Sequence, residues 1–97
     1  MTMHWMMRAQ LPTGPGNEAV VSGNLAKTIQ AFIAAHKPDS AYFLTEDGMR
    51  TARFVVAVTD PSQMPAFAEP FFLLGASVQF YPVMTGEDLA RGLAAAK

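Results

Sequence analysis

The segment Arg53-Phe-Val-Val-Ala-Val-Thr59 constrains this fold more than any other stretch of the chain. Its β-branched character predicts a strand over Thr51–Thr59. Side chains along a strand alternate between the two faces of a sheet. Phe54, Val56 and Val58 therefore share one face, and Arg53, Val55, Ala57 and Thr59 share the other. The first set is wholly apolar and the second is mixed. A sheet built around this strand needs one face fully covered and the other at least partly covered.

The neighbouring segments supply such a sheet. Met3–Gln10 is an apolar run too short for a stable helix and reads as a first strand. It is ended by Leu11-Pro-Thr-Gly-Pro-Gly16, whose prolines and glycines cannot continue a ladder. Asn17 reads as an N-cap with Glu18 in the first turn. Val21, Leu25, Ile29, Phe32, Ile33 and His36 then recur at helical spacing, which predicts one amphipathic helix stopped by Pro38. Ser40–Thr45 reads as a second strand, joined to the third through the turn Glu46-Asp47-Gly48.

Asp60-Pro61-Ser62-Gln63 is a helix-start signal, with Asp60 as cap and Gln63 reaching back to it. Pro65 and Pro70 make the helix that follows short or bent, and Gly75 closes it. Ser77–Val83 reads as a fourth strand. Thr85-Gly-Glu-Asp88 is a second capping box, leading into a terminal helix over Leu89–Lys97. The order β-α-β-β-α-β-α predicts an α+β, ferredoxin-like domain over residues 1–97, a βαββαβ core with a C-terminal helix. Its sheet is antiparallel, with two helices on one face.

Alternation sorts every strand in the same way. Met3, Trp5, Met7 and Ala9 go with Ala41, Phe43, Phe54, Val56, Val58, Val78 and Phe80 on the face assigned to the helices. The complementary face mixes His4, Arg8, Tyr42, Arg53, Gln79 and Tyr81 with Met6, Leu44, Val55, Ala57 and Val83. Four short strands span on the order of 300 Å², the scale of patches that mark interaction sites. A small domain has a thin margin of stability, and this one has only 15% charged residues against 51% apolar. A second copy of the chain is the expected cover, which makes a homodimer through the open sheet face.

Composition removes several functions. With no cysteine there is no disulfide and no thiolate nucleophile or ligand. A net charge of −1, scattered along the chain, gives no basic run for nucleic acid. No stretch reaches the roughly 20 apolar residues of a membrane span. Met1–Arg8 lacks the basic region and cleavage site of a secretory signal, so a cytoplasmic location is expected.

His4, Arg8, Tyr42, Arg53, Gln79 and Tyr81 are the candidate ligand-binding residues, because they are the polar groups on the mixed face. Histidine as a residue type titrates near neutrality, so His4 suits a general base or ligand, or else sits at the rim of an interface. Arg8 and Arg53 suit a carboxylate or oxyanion, or else pair with acids of a partner subunit. Tyr42 and Tyr81 suit an aromatic ligand, or else fill an interface. His36 beside Lys37 suits the C-terminal end of a helix. Glu46, Asp47, Asp60, Glu87 and Asp88 fall at turns and caps, where they form neither a metal cluster nor a carboxylate pair. Gly14 and Gly16 lack dinucleotide-loop spacing, and no cofactor is implied.

The opening strand Met3-His-Trp-Met-Met7, the segment Phe54-Val-Val-Ala-Val-Thr-Asp-Pro61 and Ser77-Val-Gln-Phe-Tyr-Pro-Val83 followed by Glu87-Asp88 together resemble the dimeric α/β-barrel superfamily. Within it, the chain resembles an uncharacterised bacterial family, a domain of unknown function. The resemblance implies two sheets packed face to face as a barrel. Superfamily members include cofactor-independent monooxygenases, haem-degrading monooxygenases and lactone isomerases. The Asn, Trp and His set of the haem-degrading members has no matching positions here. Two functions are therefore expected. One is a homodimeric, non-catalytic or small-ligand-binding domain. The alternative is a cofactor-independent enzyme for a small aromatic or lactone-like substrate, with His4, Arg53 and Tyr81 as its candidates.

Overall fold

The computed structural model describes residues 2–96. Its hairpin forms at the acidic-Gly turn: β2 (Ser40–Glu46) and β3 (Met49–Val58) are joined by Asp47 and Gly48, with φ of 53° and 75°. Positive φ at both central residues is what a type I′ turn requires, and its twist matches that of the strands it joins. Both strands run further toward this turn than the sequence reading gives them. β1 (Met3–Leu11) lies between β3 and β4 (Ser77–Val83), so the antiparallel sheet has the order β2-β3-β1-β4. With helices between the strands, this is the expected α+β, ferredoxin-like arrangement.

The register fixes the faces as alternation sorts them. Met7 stands opposite both Phe54 and Phe80, Trp5 opposite Val56, and Ala9 opposite Val78. Met7 and Phe54 are fully buried. Among the helix residues that cover this side is Phe32, whose ring lies 4.5 Å from that of Phe54 and 5.4 Å from that of Phe71.

The single helix expected between Asn17 and His36 is two helices, α1 (Thr13–Ser22) and α2 (Asn24–His36). Gly23, at φ 83°, sits between them in the left-handed region, where only glycine is free of strain. The break moves Val21 off the shared apolar face and leaves it exposed, while Phe32 is buried and Leu25 and Ile29 are half-buried. Asn17 is not a cap but lies inside α1, which starts four residues earlier. Its N-cap position is Pro12, and Pro15 falls in the first turn, where backbone N–H groups have no intrahelical partner. The prolines that end the strand thus also begin the helix.

Asp60 and Gln63 cap each other as expected. Asp60 Oδ1 accepts from the Ser62 N–H at 2.8 Å, and Gln63 Oε1 accepts from the Asp60 N–H at 3.0 Å. A 3₁₀ turn (Pro61–Gln63) leads into α3 (Met64–Phe72), which is short and runs on through Pro70. Buried Phe67, Ala68 and Phe71 hold α3 to the core across the donor that Pro70 lacks.

The Thr85–Asp88 capping box opens α4 (Gly86–Ala95), earlier than the expected start at Leu89, while Lys97 lies outside the described residues. α4 buries none of its residues, and Leu89 and Leu93 stand exposed. Among the described residues, no helix is long and apolar enough to cross a membrane.

Candidate functional site

The open face of the sheet gathers four of the six candidate residues into one network. In register, Tyr42, Arg53, Arg8 and Gln79 form a row across all four strands. Two arginines side by side on neighbouring strands repel unless something neutralises them. Glu46 does so. Arg53 donates to it twice, from Nε to Oε1 at 2.5 Å and from Nη2 to Oε2 at 3.0 Å. Arg8 donates from Nε to Oε2 at 3.1 Å, and from its terminal nitrogens to Gln79 Oε1 at 3.1 Å and Asp47 Oδ2 at 3.2 Å. The Tyr81 hydroxyl donates to the same Gln79 oxygen at 2.6 Å.

The electrostatics follow from this geometry. The hydrogen bonds from Arg53, helped by those from Arg8 and opposed by partial burial, lower the Glu46 carboxyl from its ordinary 4.5 to about 2. The same carboxylate raises the pKa of Arg53 above its already high value. Glu46 is therefore firmly ionised at neutral pH and a poor proton acceptor. Two arginines meet two carboxylates, Glu46 and Asp47, so the cluster is electrically balanced.

The other two candidates stand apart. His4 Nε2 lies 3.2 Å from Asp39 Oδ2, at the end of the sheet where β2 begins. Tyr42 neighbours Arg53 but is 69% exposed. The acids expected from a partner subunit to meet Arg8 and Arg53 are instead supplied by the chain's own hairpin. His36, at the last residue of α2, packs its ring 4.7 Å from Phe67 and 4.9 Å from Phe32.

Sequence reasoning missed Glu46, Asp47, Gln10 and Thr51 as members of this face. Gln10 Nε2 donates to the Glu46 carbonyl at 3.0 Å and to Thr51 Oγ1 at 3.3 Å, tying the hairpin end to β1. The signal for Glu46 was present: it has the same parity as Tyr42 and Leu44. Ending the second strand at Thr45 removed it from the face. Among the described residues, no buried side-chain nitrogen or oxygen lacks a hydrogen-bond partner.

The opposite side of the sheet holds a cleft of about 270 Å³ beneath α2. Leu25 and Ile29 of α2, Phe43 of β2, and Phe71 and Leu74 at the end of α3 form its walls, and Arg50 of β3 lines it as well.

Comparison of the chain with protein-family models, with curated proteins and with solved structures finds no match.

Proposed function

We propose that this chain is a homodimeric, non-catalytic binding domain whose two open sheet faces pack on each other. The observation that carries the reading is the balanced Arg8–Arg53–Glu46–Asp47 cluster set within an apolar surround. Around it, Tyr81 and Leu44 are each 41% exposed, and Met6, Val55 and Val83 are half-buried. A neutral, internally bonded cluster can be covered by a second copy without leaving a charge unpaired, which is the costly outcome in a buried interface. Strands of seven to ten residues give this face on the order of 500 Å² per copy, or about 1,000 Å² for the pair, the size a specific interface needs. Two such faces would meet in the manner of a dimeric α/β barrel.

The geometry gives less support to a cofactor-independent enzyme. Arg8 and Tyr81 both bond to Gln79, Arg53 bonds to Glu46, and His4 lies against Asp39, so these groups do not converge on a shared empty point. Light scattering at micromolar concentration tests the dimer. The wild type should show twice the chain mass and Val55→Lys, at the middle of the face, a monomer. A monomeric wild type would overturn the reading.

A further inference from the structure

We propose that the cleft beneath α2 binds a small apolar carboxylate, held at its charged end by Arg50. Most of the cleft's lining comes from the helix side of the sheet, away from the proposed dimer contact, so its test is independent of that reading. The cleft lies where α2 is least deeply packed, since Phe32 is the one buried residue of that helix. Phe32 inserts against Phe54, while one helical turn and two turns earlier Ile29 and Leu25 are only half-buried. The opening of about 270 Å³ is walled by apolar side chains. At the roughly 30 Å³ that a water occupies in the liquid, this is room for about nine non-hydrogen atoms, with the open mouth left for a charged head. Hollows of this kind admit apolar ligands, with a few polar groups setting orientation.

Arg50 supplies the polar end. Arg8, Arg53 and Arg91 each meet a carboxylate, whereas among the described residues Arg50 meets none within 4.0 Å. Among the described residues its one side-chain hydrogen-bond partner is neutral: Nη1 donates to Asn17 Oδ1 at 3.2 Å. The rest of its planar fork of donors is available, in the geometry that suits a carboxylate. Gly16 makes room for this placement, because a Cβ there would lie 2.8 Å from the same Nη1. A single uncompensated cation beside an apolar hollow selects a monocarboxylate over a neutral or cationic ligand of the same shape.

Octanoate, with ten non-hydrogen atoms, is the probe, and 1-octanol and octylamine carry the same chain with a neutral and a cationic head. Calorimetric and ¹⁵N NMR titrations of the whole chain should show one octanoate site per chain, with shifts at Leu25, Ile29, Phe43 and Leu74. Hydrogen bonds to a charged group are worth enough that 1-octanol should bind about tenfold to a hundredfold more weakly. Octylamine should bind more weakly still. Arg50→Met should reduce octanoate to the level of 1-octanol and leave 1-octanol unchanged. Gly16→Ala, which suits a helix and displaces only the end of a flexible side chain, should weaken octanoate selectively. Ile29→Trp should fill the cleft and remove both ligands. Equal binding of octanoate and 1-octanol, octanoate binding that survives Arg50→Met, shifts at Arg8 and Arg53 instead, or no saturation below the micelle concentration would each overturn the proposal.

Discussion

Glu46 accepts two hydrogen bonds from Arg53, at 2.5 and 3.0 Å, across the hairpin whose first strand Glu46 itself ends. The pair is bidentate, the strongest form an arginine–carboxylate contact takes. It also draws in Arg8 from the neighbouring strand. One carboxylate at a turn thereby ties β2 to β3 and β3 to β1.

That arrangement predicts an acid response. Glu46 has a folded pKa of about 2 against an ordinary 4.5, so the folded state binds its proton less readily than the unfolded chain does. Its contribution to stability is fully present above about pH 4.5 and is lost as pH falls toward about 2. Asp60 and Asp88, held down by the backbone N–H groups they cap, act in the same direction. Urea midpoints measured down to about pH 2 should therefore fall more steeply for the wild type than for Glu46→Gln. Identical pH profiles for the two proteins would show that the cluster does not stabilise the fold.

The fold was legible in the sequence because strand parity is a rule with a period of two and few exceptions. Phe54, Val56 and Val58 could face only one way, and Met7 and Phe80 had to follow them. The helix boundaries were less legible because two signals each carry two meanings. Pro12 and Pro15 end a strand and start a helix equally well. A glycine within a helical pattern, such as Gly23, either is tolerated or breaks the helix, according to the turn its surroundings impose. The site was half legible. Parity placed Arg8, Arg53, Gln79 and Tyr81 together, but the group that organises them lies where strand becomes turn, and sequence resolves such boundaries least well.

The helix break itself is testable. Gly23 has φ of 83°, and a side chain in the left-handed region costs about 1–2 kcal/mol. Gly23→Ala should lower stability by that amount, although Ala is the better helix former and its Cβ would have open space. Lys37 occupies the same region at φ 44°, at the end of α2, where glycine is favoured. Lys37→Gly should raise stability by up to about 1 kcal/mol, once the added freedom of the unfolded chain is subtracted. Urea unfolding of the two variants should shift the midpoints in opposite directions. A stabilised Gly23→Ala would mean that α1 and α2 can merge.

The aromatic core leaves little reserve. Phe54 is fully buried and meets Phe32, Phe43 and Phe71 with ring centroids 4.5, 5.9 and 5.8 Å away. Replacing a buried Phe by Ala costs about 3–5 kcal/mol, against about 5–15 kcal/mol for a whole domain. Phe54→Ala should unfold at a much lower urea concentration, with loss of near-ultraviolet circular dichroism. Phe72→Ala, at a neighbouring but half-exposed residue, should change stability far less. Similar losses in both variants would place the core elsewhere than between α2, α3 and β3.

α4 presents the reverse case, a well-capped helix that buries none of its residues. Thr85 Oγ1 accepts from the Asp88 N–H at 3.2 Å, and Asp88 Oδ2 accepts from the Thr85 N–H at 3.0 Å. Caps of this kind contribute about 0.5–2 kcal/mol, yet an isolated helix shorter than about 12–15 residues is marginal in water. α4 has ten residues and none of them is buried. In the Val55→Lys monomer, its amides should therefore exchange with solvent nearly as fast as those of a free peptide, while those of β1 and β3 are protected to the global limit. Thr85→Ala should speed exchange in α4 further and leave the sheet unchanged. Protection of α4 that matches the sheet's in the monomer would mean that the helix folds back onto its own chain in solution. Protection that appears only in the wild-type dimer would mean that Leu89 and Leu93 are covered by the second copy.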